Sequence, residues 1–137
     1  GLPLSENHRV LVVEDNPVNI IVIQNLLKKL GGAQITVARD GKEALELCED
    51  RPFDLIFMDT HMPVLDGLEA TRALRAQGCR THIIGVSADA MSDDRKEALS
   101  SGMDDYITKP VSLGILRQSI EAGLGKREST RPDQLNA

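Results

Sequence analysis

Three carboxylates, an ammonium and a hydroxyl stand at matching places in this sequence. Glu14 and Asp15 follow the apolar run 10–13, Asp59 closes the run 55–58, Ser87 and Ala88 follow 83–86, and Lys109 follows 106–108, just before Pro110. If these groups converge, two carboxylates ~4 Å apart repel by about 4 kcal/mol at an effective dielectric of ~20. Lys109 offers one positive charge against three negative ones, which leaves room for a divalent cation. An all-oxygen donor set that keeps some water suits Mg²⁺ better than zinc. The same neutralisation would let Asp59 act as a nucleophile toward a phosphoryl group carrying about −1.5 to −2 charges. Carboxylates do form acyl-phosphate intermediates.

The elements that would gather these groups can be read from the pattern. Five short β-branched or aliphatic runs, 10–13, 35–38, 55–58, 83–86 and 106–108, alternate with segments of helical length. Such alternation predicts a parallel sheet with helices on both faces, because parallel strands need crossovers that helices usually supply. Every candidate group then lies at the carboxyl end of a strand, and those ends share one edge where ligands bind. Asn16-Pro17, Asp40-Gly41, Asp66-Gly67 and Ser92 mark helix starts. Gly31-Gly32 and Gly102 mark the ends of the first and fourth helices.

The length of 137 residues fits one domain. We place it at residues 8–124, with 1–7 as an N-terminal extension or linker. The polar, aperiodic stretch 125–137 reads as a flexible tail or linker. Sixteen Lys and Arg against 21 Asp and Glu give a net charge of −5, which argues against direct nucleic-acid or anionic-membrane binding. Cys48 and Cys79 form neither a C-x-x-C motif nor a zinc pattern, and a reducing cytoplasmic setting is expected. No apolar run is long enough to span a bilayer, and the opening "GLPLSENHR" is neither a signal peptide nor an initiator-Met start, as expected for a piece of a longer protein.

Taken in order and spacing, "LVVEDNPVN", "MDTHMPVLDG", "VSADAM" and "DDYITKP" resemble the four signature regions of the response-regulator receiver family, over about residues 9 to 124. The resemblance implies a flavodoxin-like (βα)5 sandwich with strand order 2-1-3-4-5. It implies Asp59 as phosphoacceptor, Glu14 and Asp15 as metal-binding acids, and the His61 backbone carbonyl as a further Mg²⁺ ligand. Ser87 would bond a phosphoryl oxygen, helped by the Ala88 amide, and Lys109 would pair with the phosphate across a cis Lys109–Pro110 bond. Tyr106 matches the aromatic switch position, and the His61 imidazole with Asp89 would influence attack by water. His8 and His82 read as structural, Cys48 as core packing and Cys79 as loop-exposed.

The segments most resemble receivers appended to hybrid sensor histidine kinases, so a histidine kinase or histidine-phosphotransfer domain is the expected partner. The parent protein would be anchored in the inner membrane, and phosphorylation could pair two copies of the domain. Such a domain promotes its own phosphorylation and dephosphorylation and is not an enzyme in the usual sense. In the first helix, Val22, Leu26 and Leu30 form an apolar stripe with Ile23 and Leu27 beside it, which turns Ile21 to solvent and puts Ile20 on a flank. Ile20 and Ile21 are therefore a candidate docking patch for a phosphodonor. The alternatives are a docking or inhibitory module that is never phosphorylated, a phosphatase of the haloacid-dehalogenase type, and a flavin binder. The phosphatase would want a second Asp where His61 stands. Flavin phosphate would meet Glu14 and Asp15 instead of a cradling loop.

Overall fold

Asn16, Asp40 and Asp66 each turn a side-chain oxygen back onto free backbone N–H groups. Asn16 Oδ1 accepts from Val18 and Asn19 at 2.9 and 3.2 Å, Asp40 Oδ1 from Glu43 at 2.8 Å, and Asp66 Oδ1 from Glu69 at 2.9 Å. These bonds take up donors that the first helical turn leaves unpaired. Helices α1 (Pro17–Lys29), α2 (Gly41–Asp50) and α3 (Gly67–Ala76) follow directly. The computed structural model describes residues 1–62, 64–88 and 92–129. Its remaining elements are strands β1 (Arg9–Val13), β2 (Gln34–Ala38), β3 (Leu55–Asp59), β4 (His82–Ser87) and β5 (Asp105–Thr108), and helices α4 (Ser92–Ser101) and α5 (Leu113–Ser129).

The five strands form one parallel sheet in the order β2-β1-β3-β4-β5, as the flavodoxin-like reading expects. Strand side chains alternate between faces, and the apolar residues sort accordingly. Val10, Val12, Leu55, Phe57, Ile84, Val86 and Ile107 pack with Ile23 and Leu27 of α1 and Leu116 and Ile120 of α5. Leu11, Val13, Ile56, Met58, Ile83 and Tyr106 pack with Ala44 of α2, Ala70 and Leu74 of α3 and Ala98 of α4. The central strands are apolar at both parities because each face is covered.

Ordered structure extends on both sides of residues 8–124. Leu4 is buried in the α1/α5 core, and its N–H donates to the Leu30 carbonyl at 3.0 Å. That carbonyl follows the last turn of α1 and has no donor within the helix. Leu4 thus contributes to the core. Gly31, at φ 144°, closes α1, and a Cβ there would lie 2.0 Å from the Leu4 carbonyl oxygen. Helix α5 runs past Leu124 to Ser129, since a polar segment without proline need not stop a helix. Residues 130–137 of the expected tail lie outside the described residues, as does Asp89.

Arg75, which drew no notice in the sequence, ties α3 to the start of β4 and β5. Its guanidinium donates to the carbonyls of Gly102, Cys79 and Thr81 at 3.0, 2.9 and 2.8 Å and to Asp104 Oδ2 at 2.8 Å. Asp104 Oδ2 also accepts from the Ile83 N–H at 2.8 Å. Among the described residues no helix is long and apolar enough to cross a membrane.

Gly67 starts α3 hard against the end of β3, where an added Cβ would lie 2.0 Å from the Asp59 carbonyl oxygen. Gly67→Ala should therefore cost about 1–3 kcal/mol in denaturant unfolding, as overpacked sites do. Gly125→Ala, in α5 with no atom of the described residues within 4 Å of the new methyl, should stabilise by about 0.5–1 kcal/mol. Equal effects from the two changes would contradict this account of α3.

Candidate functional site

Register brings the first two acids together. Val12 pairs with Phe57 and Val13 with Met58 across β1 and β3, and the next residues on the two strands are Glu14 and Asp59. By alternation both carboxylates project to the face of Val12 and Phe57, beneath α1 and α5. Each residue is only 5% exposed. Lys109 arrives from the end of β5, where its backbone N–H donates to the Ser87 carbonyl at 2.7 Å. Its Nζ lies 3.0 Å from Glu14 Oε1 and 3.5 Å from Asp59 Oδ2. The Lys109–Pro110 bond is cis, as the resemblance implies.

The cluster is short of positive charge. Burial, reinforced by Asp59, pushes the Glu14 carboxyl above its ordinary pKa, against the opposing pull of Lys109 and the Asn16 N–H. Burial by itself would lower the pKa of Lys109, but its bond to Glu14 and the charge of Asp59 reverse this and hold it above the usual value. The ammonium is thus firmly charged, while the carboxylates still crowd one another. Glu14 Oε2 also accepts from the Asp15 and Asn16 N–H groups at 3.1 and 3.2 Å, which fixes its carboxylate and turns the next residue outward. Asp15 is exposed, and one oxygen from each of Glu14, Asp15 and Asp59 falls within 4.8 Å of the others. Three hard oxygen donors with excess negative charge fit a divalent cation that retains water.

The other expected residues occupy different depths. The His61 N–H donates to Asp59 Oδ1 at 3.1 Å while its side chain is exposed. Ser87 is fully buried at the end of β4, one residue beyond the Val86 that pairs with Asp59, and Ala88 is exposed. Tyr106 is buried in the α2/α3/α4 core.

One expectation on α1 is corrected. Ile20 is 6% exposed and belongs to the inward stripe with Ile23 and Leu27, so it is not part of an outer patch. The inward stripe is centred on Ile20, Ile23 and Leu27 and not on Val22 as the helical wheel suggests, and Val22 is left partly exposed. Ile21 is 57% exposed as expected, and Val18 and Val22 are exposed with it.

Thr60 was not foreseen; it is buried beside Asp59, and its hydroxyl has no hydrogen-bond partner among the described residues. A cavity of 140 Å³ was equally unforeseen. Val12, Val22, Phe57, Val86, Pro110 and Val111 line it together with Glu14, Asp59 and Lys109. Its walls come from segments scattered along the chain, so no local pattern could have announced it. Thr60 follows the strand-end acid, and a polar residue there was the one available hint.

Comparison with known proteins agrees with this geometry. The family model described as the response regulator receiver domain matches residues 10–121. The sensor histidine kinase GacS of Pseudomonas protegens is 38% identical over 138 residues, covering 91% of this chain but only 15% of the kinase. Among solved structures, the receiver domain of sensor histidine kinase PA1611 from Pseudomonas aeruginosa, with a magnesium ion coordinated in its active-site cleft, superposes with a TM-score of 0.80. It is 41% identical, with 86% of this chain and 98% of that one covered. The receiver domain of the Saccharomyces cerevisiae response regulator Ssk1, solved with the histidine phosphotransfer signaling protein Ypd1, gives a TM-score of 0.80 at 32% identity, covering 88% and 90%. With the matched segment running from β1 into α5 and enclosing the whole acidic cluster, the chain belongs to the response regulator receiver domain family.

Proposed function

We infer that this chain is the receiver domain of a hybrid sensor histidine kinase, accepting a phosphoryl group from a phosphohistidine donor onto Asp59. The observation that carries the reading is the strand-end cluster, in which Glu14, Asp15 and Asp59 offer oxygens within 4.8 Å of one another and Lys109 reaches two of them. Mg²⁺ would be held by Glu14, Asp15, Asp59 and the His61 carbonyl. When bound, it supplies charge neutralisation for phosphoryl oxygens.

Asp59 is oriented for attack from both sides. The His61 N–H holds Oδ1, and the Lys109 ammonium lies against Oδ2. A carboxylate oxygen would form the new O–P bond as the donor's N–P bond breaks, with the imidazole leaving. Lys109 would follow the incoming charge, and Ser87 with the Ala88 amide would take a phosphoryl oxygen. A change of charge at this edge would then bias a two-state surface that includes Tyr106. The parallel with the Ssk1 receiver supports a histidine-phosphotransfer protein as partner. The exposed apolar face of Val18, Ile21 and Val22 near the start of α1 is a suitable docking surface for it.

Incubation with acetyl phosphate and Mg²⁺ should add one phosphoryl group to the intact chain by mass spectrometry, and Asp59→Asn should add none. A modified variant would remove Asp59 from the role. The chain has no tryptophan, so Mg²⁺ affinity is best followed by calorimetry. Asp15→Asn should weaken it about tenfold or more, because a charged oxygen ligand becomes a neutral one. An unchanged affinity would rule out the acidic cluster as the ion's site.

Ile21→Lys should slow transfer from a phosphohistidine protein several-fold while leaving the rate with acetyl phosphate unaltered. Parallel losses with both donors would count against docking on α1.

A further inference from the structure

The fold brings two distant cysteines together at the edge of the sheet away from Asp59. Cys48 lies near the end of α2, and Cys79 lies in the connection from α3 to β4, three residues before that strand begins. Both are free and half-buried, and both line one groove of 530 Å³ with Glu49, Gln77 and Thr81. Their side chains face the same groove, near enough for each thiol to perturb the other. The flanking segments are held in place. Gln77 Nε2 donates to Glu49 Oε1 at 3.1 Å, the Cys79 N–H donates to the Leu74 carbonyl at 3.0 Å, and the Cys79 carbonyl accepts from Arg75 Nη1 at 2.9 Å.

The two sulfurs are not equivalent. Their mutual interaction, and then burial, push the Cys48 thiol up. The interaction with Cys48 draws the Cys79 thiol down, and the Thr81 N–H and the Arg75 guanidinium add to this against the effect of burial. Charged groups around the groove include Glu49 on α2 and Arg80 in the connection, and Cys79 also borders an adjoining pocket that holds Arg75 of α3 and Asp104, paired with each other at 2.8 Å. Cys79 is therefore the thiol more ready to ionise, and Cys48 the one that holds its proton. A solvent-accessible thiolate beside a second thiol is the arrangement of an attacking and a resolving cysteine.

We propose that Cys79 and Cys48 form a peroxide-sensitive dithiol site that closes to a disulfide, stapling α2 to the α3–β4 connection. The Cys79 sulfur attacks one oxygen of a hydroperoxide. The O–O bond breaks, the sulfur becomes a sulfenic acid by losing two electrons, and hydroxide or alkoxide leaves carrying them. The Cys48 sulfur then attacks Cys79. The S–S bond forms, the S–O bond breaks, and the released hydroxide takes the Cys48 proton as water. A dithiol reductant reverses the change by exchange. The site lies at the amino ends of β3 and β4, whereas the acids and Lys109 lie at the carboxyl ends, so its chemistry is separate from phosphorylation.

The test treats the folded chain with a small excess of hydrogen peroxide. Both thiols should disappear toward a maleimide reagent in monomeric protein. A non-reduced digest should join the Cys48 and Cys79 peptides, and dithiothreitol should part them. In Cys48→Ser, oxidation should stall at a Cys79 sulfenic acid captured by dimedone. In Cys79→Ser, Cys48 should react about tenfold more slowly than Cys79 does in the other variant. Three results would each overturn the proposal: two thiols surviving in the wild type, cross-links only between molecules, or equal rates in the two variants. The wild-type measurement decides the matter even where a variant does not fold.

Discussion

Two buried carboxylates share one ammonium at the carboxyl edge of this sheet, and much else in the molecule follows from that. Glu14 and Asp59 are each 5% exposed, and Lys109 bonds the first more closely than the second. Buried charges persist only where partners compensate for lost water. Here the compensation is incomplete, because a third acid, Asp15, borders the pair. An arrangement this short of positive charge is one that the proposed cation and phosphoryl group could enter together. The cluster is therefore better understood as preparation for ligands than as a source of stability.

The two-sided sheet decides which parts of the protein feel such a change. Glu14, Asp59 and Lys109 line a cavity under α1 and α5, whereas Tyr106 is buried with α2, α3 and α4. Main-chain contacts connect the two sides. Thr60 donates to the Val86 carbonyl at 3.1 Å, Lys109 donates to the Ser87 carbonyl at 2.7 Å, and Tyr106 pairs with Gly85 across β4 and β5. A shift of Lys109 toward a new negative charge would pull on the strand that carries Ser87. This continuity supports the proposed switch role of Tyr106.

The opposite edge is organised by one guanidinium. Arg75 fixes the carbonyls of Cys79, Thr81 and Gly102 along with the Asp104 carboxylate, so the chain entering β4 and β5 is held on the same side group. The thiol pair sits within this frame. One domain thus gathers an acid cluster where its strands end and a pair of thiols where two of them begin.

Much of this was legible in the sequence because it depends on local rules. Alternation of β-branched runs with helical segments identified the parallel sheet, Asn16, Asp40 and Asp66 announced their helices by capping chemistry, and the strand-end acids pointed to the cluster that the fold assembles. Each signal is read within a few residues by period or side-chain type. Tertiary packing alone decided that Ile20 turns inward and Val22 outward, because a helical wheel fixes the angles between residues but not the rotation of the helix against the sheet. Packing also drew Leu4 into the core, placed Thr60 and the cavity beside Asp59, and set Cys48 against Cys79. These depend on which distant segments become neighbours, and the sequence by itself determines that only through the fold.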